Sequence, residues 1–273
     1  MPRLLLYRKS FQSFSLKKMN KVFFDQKRKV FIKVLKDSFK KEREIIGANC
    51  FQNFVNVPLY EPLDKKTLKI IPAKGVKSTL VDEQILNSLI INLSTLIKKS
   101  KFKVNPNFSI LKEIEAIKLV LRNKPAITDW LTSLQLSLGR KNLYPVHGDL
   151  QKQNIFVANN KISLIDFEHF SFAPLELEFA NNLFFNSPNC LDVGKIIPPL
   201  IKRKIVSKDL LTRMLVLYSI RKLAKGLKVK EVEKRLSQGL EKIETIVGKD
   251  LSLRLLDFRS VKKIDWTGSS CLA

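Results

Sequence analysis

Three side chains in one short stretch have the types and the spacing to do chemistry. In Tyr144–Phe170, YPVHGDLQKQNIFVANNKISLIDFEHF, the carboxylate Asp149 follows a His-Gly pair, and the amide Asn154 stands five positions later. A second carboxylate, Asp166, lies beyond two apolar, β-rich runs, Ile155–Ala158 and Ile162–Ile165, which are separated by Asn159, Asn160 and Lys161. Runs of this kind around a polar break predict two strands joined by a tight turn. The hairpin folds the chain back, so Asn154 at its entry and Asp166 at its exit are expected side by side. Two hard oxygen ligands beside a free carboxylate suit Mg2+ carrying a nucleotide phosphate. The same layout leaves Asp149 to orient a hydroxyl toward the γ-phosphate.

Each of these residues also has a plainer reading. His147 alone reads as a satisfied core histidine, Asp149 as a turn former beside Gly148, and Asn154 as a strand-edge cap. Asp166 and Glu168 read as a solvated strand end. The signal lies in their joint occurrence around one hairpin.

The pattern H-G-D-x-x-x-x-N followed by I-D-F-E resembles the small-molecule kinases related to aminoglycoside phosphotransferases and choline kinases. The matching motif spans about a tenth of the chain, with weaker echoes elsewhere. The resemblance implies an α+β, protein-kinase-like fold in two lobes: a small mixed αβ N-lobe over 1–75 and a mostly helical C-lobe over 76–273. It implies ATP and Mg2+, with Asp149 as catalytic base and Asn154 and Asp166 as metal ligands. Glu168, in the third place of the family's D-x-[DE], is implied to reach a second metal or its water, and His147 to brace the loop. Pro174–Ala180 resembles the family's P-x-x-x-D-L-A with Glu178 where Asp is usual, which implies a structural role beneath the catalytic loop.

The elements that position these groups follow from periodicity. Lys21–Asp25 and Val30–Lys36 read as a hairpin turning through Gln26–Lys29. Lys33 occupies the place of the strand lysine that holds the α/β-phosphates in kinases, and a point charge on a flexible stem suits that task. Asp37-Ser38 can cap a following helix, on which Glu44 would pair with Lys33; Glu42 and Lys36 are the alternates for that pair. The chain departs from the kinase pattern in one respect: its first 46 residues contain no glycine. Without a glycine-rich loop, backbone N–H groups approach a phosphate less closely, so the alternative is a pseudo-kinase that binds ATP poorly or not at all.

Val55–Tyr60 and Thr67–Ile71 read as the last hairpin of the small lobe, with Pro72–Gly75 as a hinge. Helical spacing then takes over at Val81–Lys99, Phe108–Arg122 and Ala126–Leu138, with Trp130 as a core residue. Pro174–Phe185 reads as a helix, Ser207–Lys225 and Lys230–Val247 as two strongly amphipathic helices, and Leu251–Phe258 as a third; Asp257–Ala273 lacks periodicity. Met1–Phe24 is basic and acid-free, as in an organellar transit peptide, yet its apolar residues run into Val22–Phe24 as a first strand would.

Composition bounds the rest. With 273 residues and 45% hydrophobic content the chain can bury a substantial core. No apolar run is long enough to span a bilayer, and three scattered cysteines read as reduced thiols of a cytoplasmic protein. Fifty Lys+Arg against 25 Asp+Glu give a net charge of +25. Dispersed basic residues of this kind, with abundant Ile, Asn and Phe, favour biased composition over contact with nucleic acid or an anionic membrane. The expected activity is transfer of the ATP γ-phosphoryl group to the hydroxyl of a small molecule such as a sugar or amino alcohol, with a neutral or anionic acceptor favoured. The alternatives are a protein or regulatory kinase, or a catalytically inactive kinase-like protein that binds nucleotide or polyanion.

Overall fold

The computed structural model describes residues 20–72, 82–139, 142–158 and 161–247. Residues 1–19, most of the Pro72–Gly75 hinge, the helix expected at Leu251–Phe258 and the C-terminal tail lie outside the described residues.

The N-terminal hairpin forms as its pattern predicts: β1 (Lys21–Asp25) pairs antiparallel with β2 (Val30–Val34), Lys21 opposite Val34 and Asp25 opposite Val30. Helix α1 (Ser38–Phe51) starts at Asp37, whose carboxylate accepts the Lys40 N–H at 2.8 Å and satisfies one of the orphan donors of the first turn. β3 (Leu59–Pro62) and β4 (Thr67–Ile71) complete a four-stranded antiparallel sheet in the order β1-β2-β4-β3. The strand expected from Val55 begins only at Leu59, because the Phe54 and Val55 N–H groups still bond to the Phe51 carbonyl and close the end of α1.

The larger part of the structure is helical: α2 (Glu83–Lys99), α3 (Ile110–Val120), α4 (Pro125–Leu138), α5 (Glu176–Phe185), α6 (Val193–Lys202), α7 (Lys208–Ala224) and α8 (Val229–Val247). Four short strands sit between α4 and α5: β5 (Tyr144–Val146), β6 (Ile155–Ala158), β7 (Lys161–Leu164) and β8 (Ser171–Ala173). β6 and β7 form the predicted hairpin, with Ile155 opposite Leu164 and Ala158 opposite Lys161. Lys161 is therefore a strand residue, and the turn is one residue tighter than its polar run suggests. β5 pairs with β8, Val146 opposite Ser171, and so clamps the two ends of the motif together.

Two expectations are corrected, and one helix is added. α7 is not amphipathic: every residue from Leu211 to Arg221 except Arg213 is buried, because α3, α5 and α8 all pack around it. α8 does carry a single stripe, Val232, Leu236, Gly239 and Ile243, as a helix with one covered face must. Trp130 is half-buried at the rim of the core rather than within it. α6 escaped the sequence pattern because of Pro198 and Pro199, yet its buried stripe Val193, Ile196, Ile197 and Leu200 holds it in place. Among the described residues no helix is long and apolar enough to cross a membrane, and Cys50 and Cys190 are free thiols.

One ion pair ties α3 to α7: Arg221 Nε meets Glu113 Oε1 at 2.9 Å, both groups nearly excluded from solvent. Burial alone would raise the Glu113 carboxyl, but Arg221 and then Arg43 outweigh it and hold it below its usual range. Glu113→Gln leaves Arg221 buried without its counter-charge, so a loss of about 3–5 kcal/mol in unfolding free energy is expected in urea titrations at pH 7. A carboxylate easier to ionise folded than unfolded stabilises above the unfolded value of 4.5. The gap between variant and wild type should therefore hold down to that pH and close as it falls further.

Candidate active site

β2 and α1 deliver the first half of the site. Strand alternation puts Lys33 on the same side as the core residue Leu35, and both are buried. The Lys33 ammonium donates to Glu44 Oε1 on α1 and to Asp166 Oδ1 at 2.6 Å, with Glu168 Oε2 at 3.9 Å. Glu44 is fully buried, and its other oxygen accepts the Phe167 N–H at 3.0 Å. Of the pairings open in the sequence, Lys33–Glu44 forms; Lys36 and Glu42 are exposed. Burial lowers the affinity of Lys33 for its proton, but Glu44 and Asp166 more than reverse this and keep it cationic. Burial pushes the Glu44 carboxyl up, to about 7, against the pull of that ammonium.

The close approach of α1 depends on Gly47, where a Cβ would come within 2.7 Å of the Phe167 Cβ. Phe167 in turn packs against Phe51, Tyr60 and His147, and so links α1 and the sheet to the motif. Asp166 itself holds φ at 69°, a left-handed conformation that costs a side-chain-bearing residue about 1–3 kcal/mol and persists only where its surroundings impose it. Its N–H donates to the Tyr60 hydroxyl at 3.4 Å.

The β6–β7 hairpin joins the second half to the first. The Ile165 N–H bonds the Asn154 carbonyl at 3.1 Å, so entry and exit of the hairpin are neighbours as predicted. The Asn154 side chain, however, turns to the preceding loop: its amide donates to the Asp149 carbonyl at 2.8 Å and to Asp149 Oδ2 at 3.2 Å. Asp149 Oδ1 accepts from Asn181 Nδ2 at 2.9 Å, and Asn181 Oδ1 accepts from the Tyr218 hydroxyl at 2.8 Å. Two amides thus fix the Asp149 carboxylate, and its remaining lone pairs are available to a further donor.

Two residues brace the loop from behind. His147 is fully buried, and burial lowers its proton affinity, leaving a neutral ring. Its Nε2–H donates to the Ile165 carbonyl at 2.8 Å while Nδ1 accepts the Asp149 N–H at 3.3 Å. Glu178 on α5 gathers the N–H groups of His147 at 2.5 Å, Gly148 at 3.2 Å and Leu150 at 3.2 Å. Burial pushes its carboxyl up to about 7, and those three donors oppose the rise. Gly148 is required at the bend: φ is 77°, and a Cβ would lie 2.1 Å from the His169 carbonyl oxygen.

Lys33, Glu44, Asp166 and Glu168 therefore converge directly, while Asn154 and Asp149 form an adjoining pair reached through the hairpin. Sequence reasoning missed Asn181, Tyr218, Tyr60 and Asn20, whose amide donates to Glu168 Oε2. Asn181 left a signal, since Glu178, Asn181 and Asn182 share one face of a helix whose only other polar residue is Glu176. Glu44, Asp166 and Glu168 offer carboxylate oxygens within 4.8 Å of one another. Lys33 and Lys40, the latter 3.4 Å from Glu168, are the ammonium groups that meet these three carboxylates. An acidic, all-oxygen donor set of this kind fits a hard divalent cation, and with its nitrogen committed to Asp149, Asn154 has only its oxygen left to offer one.

No protein-family model matches the chain, and no curated protein matches it. Solved structures do. A protein described as a fructosamine-3-kinase from Haemophilus somnus 129PT superposes with a TM-score of 0.57 at 12% identity, covering 86% of this chain and 90% of that one. A thermostable mutant of aminoglycoside phosphotransferase APH(4)-Ia gives 0.52 at 17% identity, over 86% and 92% of the two chains. An amicoumacin kinase in complex with AMP-PNP, Ca2+ and amicoumacin gives 0.52 at 16% identity, over 91% of each. With a small sheet-bearing lobe, a mostly helical lobe and these likenesses, the chain has the protein-kinase-like fold of the aminoglycoside phosphotransferases.

Proposed function

We propose that the protein is an ATP-dependent phosphotransferase whose acceptor is the hydroxyl of a small molecule. The observation that carries this reading is the convergence of Lys33, Glu44, Asp166 and Glu168 beside an Asp149 held by two amides. The solved structures of like fold are of proteins described as phosphotransferases and kinases, and one of them holds AMP-PNP with Ca2+, which supports the same reading.

Lys33, positioned by Glu44, binds the α/β-phosphates of ATP as a point charge. Asp166 and Asn154 would hold Mg2+, with Glu168 beside them, and the ion when bound neutralises charge on the transferred phosphoryl group. Asp149 Oδ accepts the proton of the acceptor hydroxyl as that oxygen bonds to the γ-phosphorus and the bond to the β-phosphate oxygen breaks, giving ADP and a phosphate ester. Asn154 and Asn181 hold the carboxylate in place, and Glu178 and His147 hold the loop that carries it. The expected result is a rise in melting temperature with Mg·ATP, followed by ATP consumption with at least one member of pooled sugars, polyols and amino alcohols. Absence of any Mg·ATP stabilisation at millimolar nucleotide would overturn the reading.

A second reading, a nucleotide binder without turnover, is favoured by one observation. The β1–β2 turn is Gln26-Lys27-Arg28-Lys29, with cationic side chains where kinases place glycines. Binding of Mg·ATP without consumption over every acceptor pool would select it.

A further inference from the structure

A cavity opens at Asp149. It measures about 220 Å3 and is lined by Asp149 and its loop, by His169 and Phe185, and by Tyr218, Arg221, Lys222 and Lys225 from α7 and its C-cap. At this size, below the roughly 300–1,000 Å3 of sites for drug-sized ligands, it admits a compact molecule or the reacting end of a larger one.

The charges around it are unequal. Arg221 is matched by Glu113 at 2.9 Å. Lys222 is not matched: its ammonium lies over the ring faces of Phe185 at 4.8 Å and Tyr218 at 4.9 Å. Among the described residues no carboxylate comes within 4 Å of Lys222 or Lys225, whereas the other basic side chain over Phe185, Arg235, is paired with Glu231 at 2.6 Å. Asp149 is the sole acid in the wall, and both its oxygens already accept amide hydrogens. The two ring faces offset part of the cost of half-burying the Lys222 ammonium, and an anion beside it would offset more. Burial, with Lys225 and Arg221 adding to it, accordingly lowers Lys222 to about 8.

We infer that this cavity is the acceptor site and that it selects an alcohol carrying an anionic group, a phosphate or a carboxylate, bound by Lys222 and Lys225 while its hydroxyl meets Asp149. The inference rests on the phosphotransferase reading for the word acceptor, and on the cavity alone for the anion. The two ends of the site divide the work: the Asp149 carboxylate repels an anion placed against it and accepts a hydroxyl, and the paired amines do the reverse. A polyamine acceptor would meet the Lys222 and Lys225 ammonium groups, neither of which has a carboxylate within 4 Å among the described residues.

The test uses the full chain and matched probes: glycerol, glycerol 3-phosphate, glycerate and 1-amino-2,3-propanediol, with ribose, ribose 5-phosphate and ribonate as a longer set. Binding is read by calorimetry without nucleotide, and ATP consumption separately. The phosphate or carboxylate members are expected to bind and to exceed their neutral partner in kcat/KM by tenfold or more, the two anion types being told apart by which arm responds. Lys222→Gln is expected to raise KM for the anionic probe 10- to 100-fold with kcat changed only a few-fold, and Lys222→Arg to recover most of it. Lys222-dependent anion binding with no ATP consumption, here or over every acceptor pool, would uphold the site while removing the phosphotransferase reading. Best turnover with a neutral or amine-bearing probe, or anion binding untouched in Lys222→Gln, would overturn the inference and leave phosphotransfer standing. Failure of every anionic probe both to bind and to be consumed would also overturn it.

Discussion

Replacing Asp149 by asparagine is expected to lower turnover by about 10²- to 10⁴-fold, the range that a positioned general base contributes, while Mg·ATP still raises the melting temperature as it does in wild type. The substitution keeps the shape that Asn154 and Asn181 surround and removes the proton acceptor. Nucleotide affinity should survive because the Lys33–Glu44–Asp166 cluster is reached from β2, α1 and the hairpin exit, and its contacts do not pass through the Asp149 side chain. Steady-state kinetics on the best acceptor, with calorimetry of Mg·ATP, separates the two properties. A variant retaining a tenth or more of the wild-type rate would remove Asp149 from the chemistry. Loss of nucleotide binding would show instead that the loop carboxylate helps to build the phosphate site.

Glu178→Ala is expected to cost about 3–5 kcal/mol of stability. The carboxylate is the acceptor for three main-chain N–H groups of the His147–Leu150 bend, all in a water-free setting. Stranding a buried donor costs about 1–3 kcal/mol, and three donors that share one acceptor lose it together. For a chain of this size the loss corresponds to a fall in melting temperature of roughly 10 °C. Glu178→Asp, the shorter acid of the same charge, should recover part of the loss. Urea denaturation measures both, and an alanine variant within 1 kcal/mol of wild type would mean that the bend holds itself through His147 and Gly148.

The local parts of this design were legible from residue order. Asp37 before a helical run gave the start of α1, and the alternation around Lys33 gave β2. The polar break between Ile155–Ala158 and Ile162–Ile165 gave the hairpin that makes Asn154 and Asp166 neighbours. These features rest on contacts between residues close in the chain, where spacing alone determines which side chains share a face.

The less legible parts depend on segments far apart in the chain. The placement of Asn181 and Tyr218 behind Asp149 requires α5 and α7 to meet beside a loop some thirty residues upstream. α7 lacks an apolar stripe because neighbours cover it on every side, and periodicity cannot say which neighbour covers which face. For the same reason a lysine count of the whole chain could not single out Lys222. Residue order by itself thus determined the set of chemical groups and the turns that aim them. Which amide holds the Asp149 carboxylate, which carboxylate braces the loop and which ammonium is left without a counter-charge were decided only by tertiary packing, because burial and the loss of solvent that gives each charge its energy arise when distant segments close on one another.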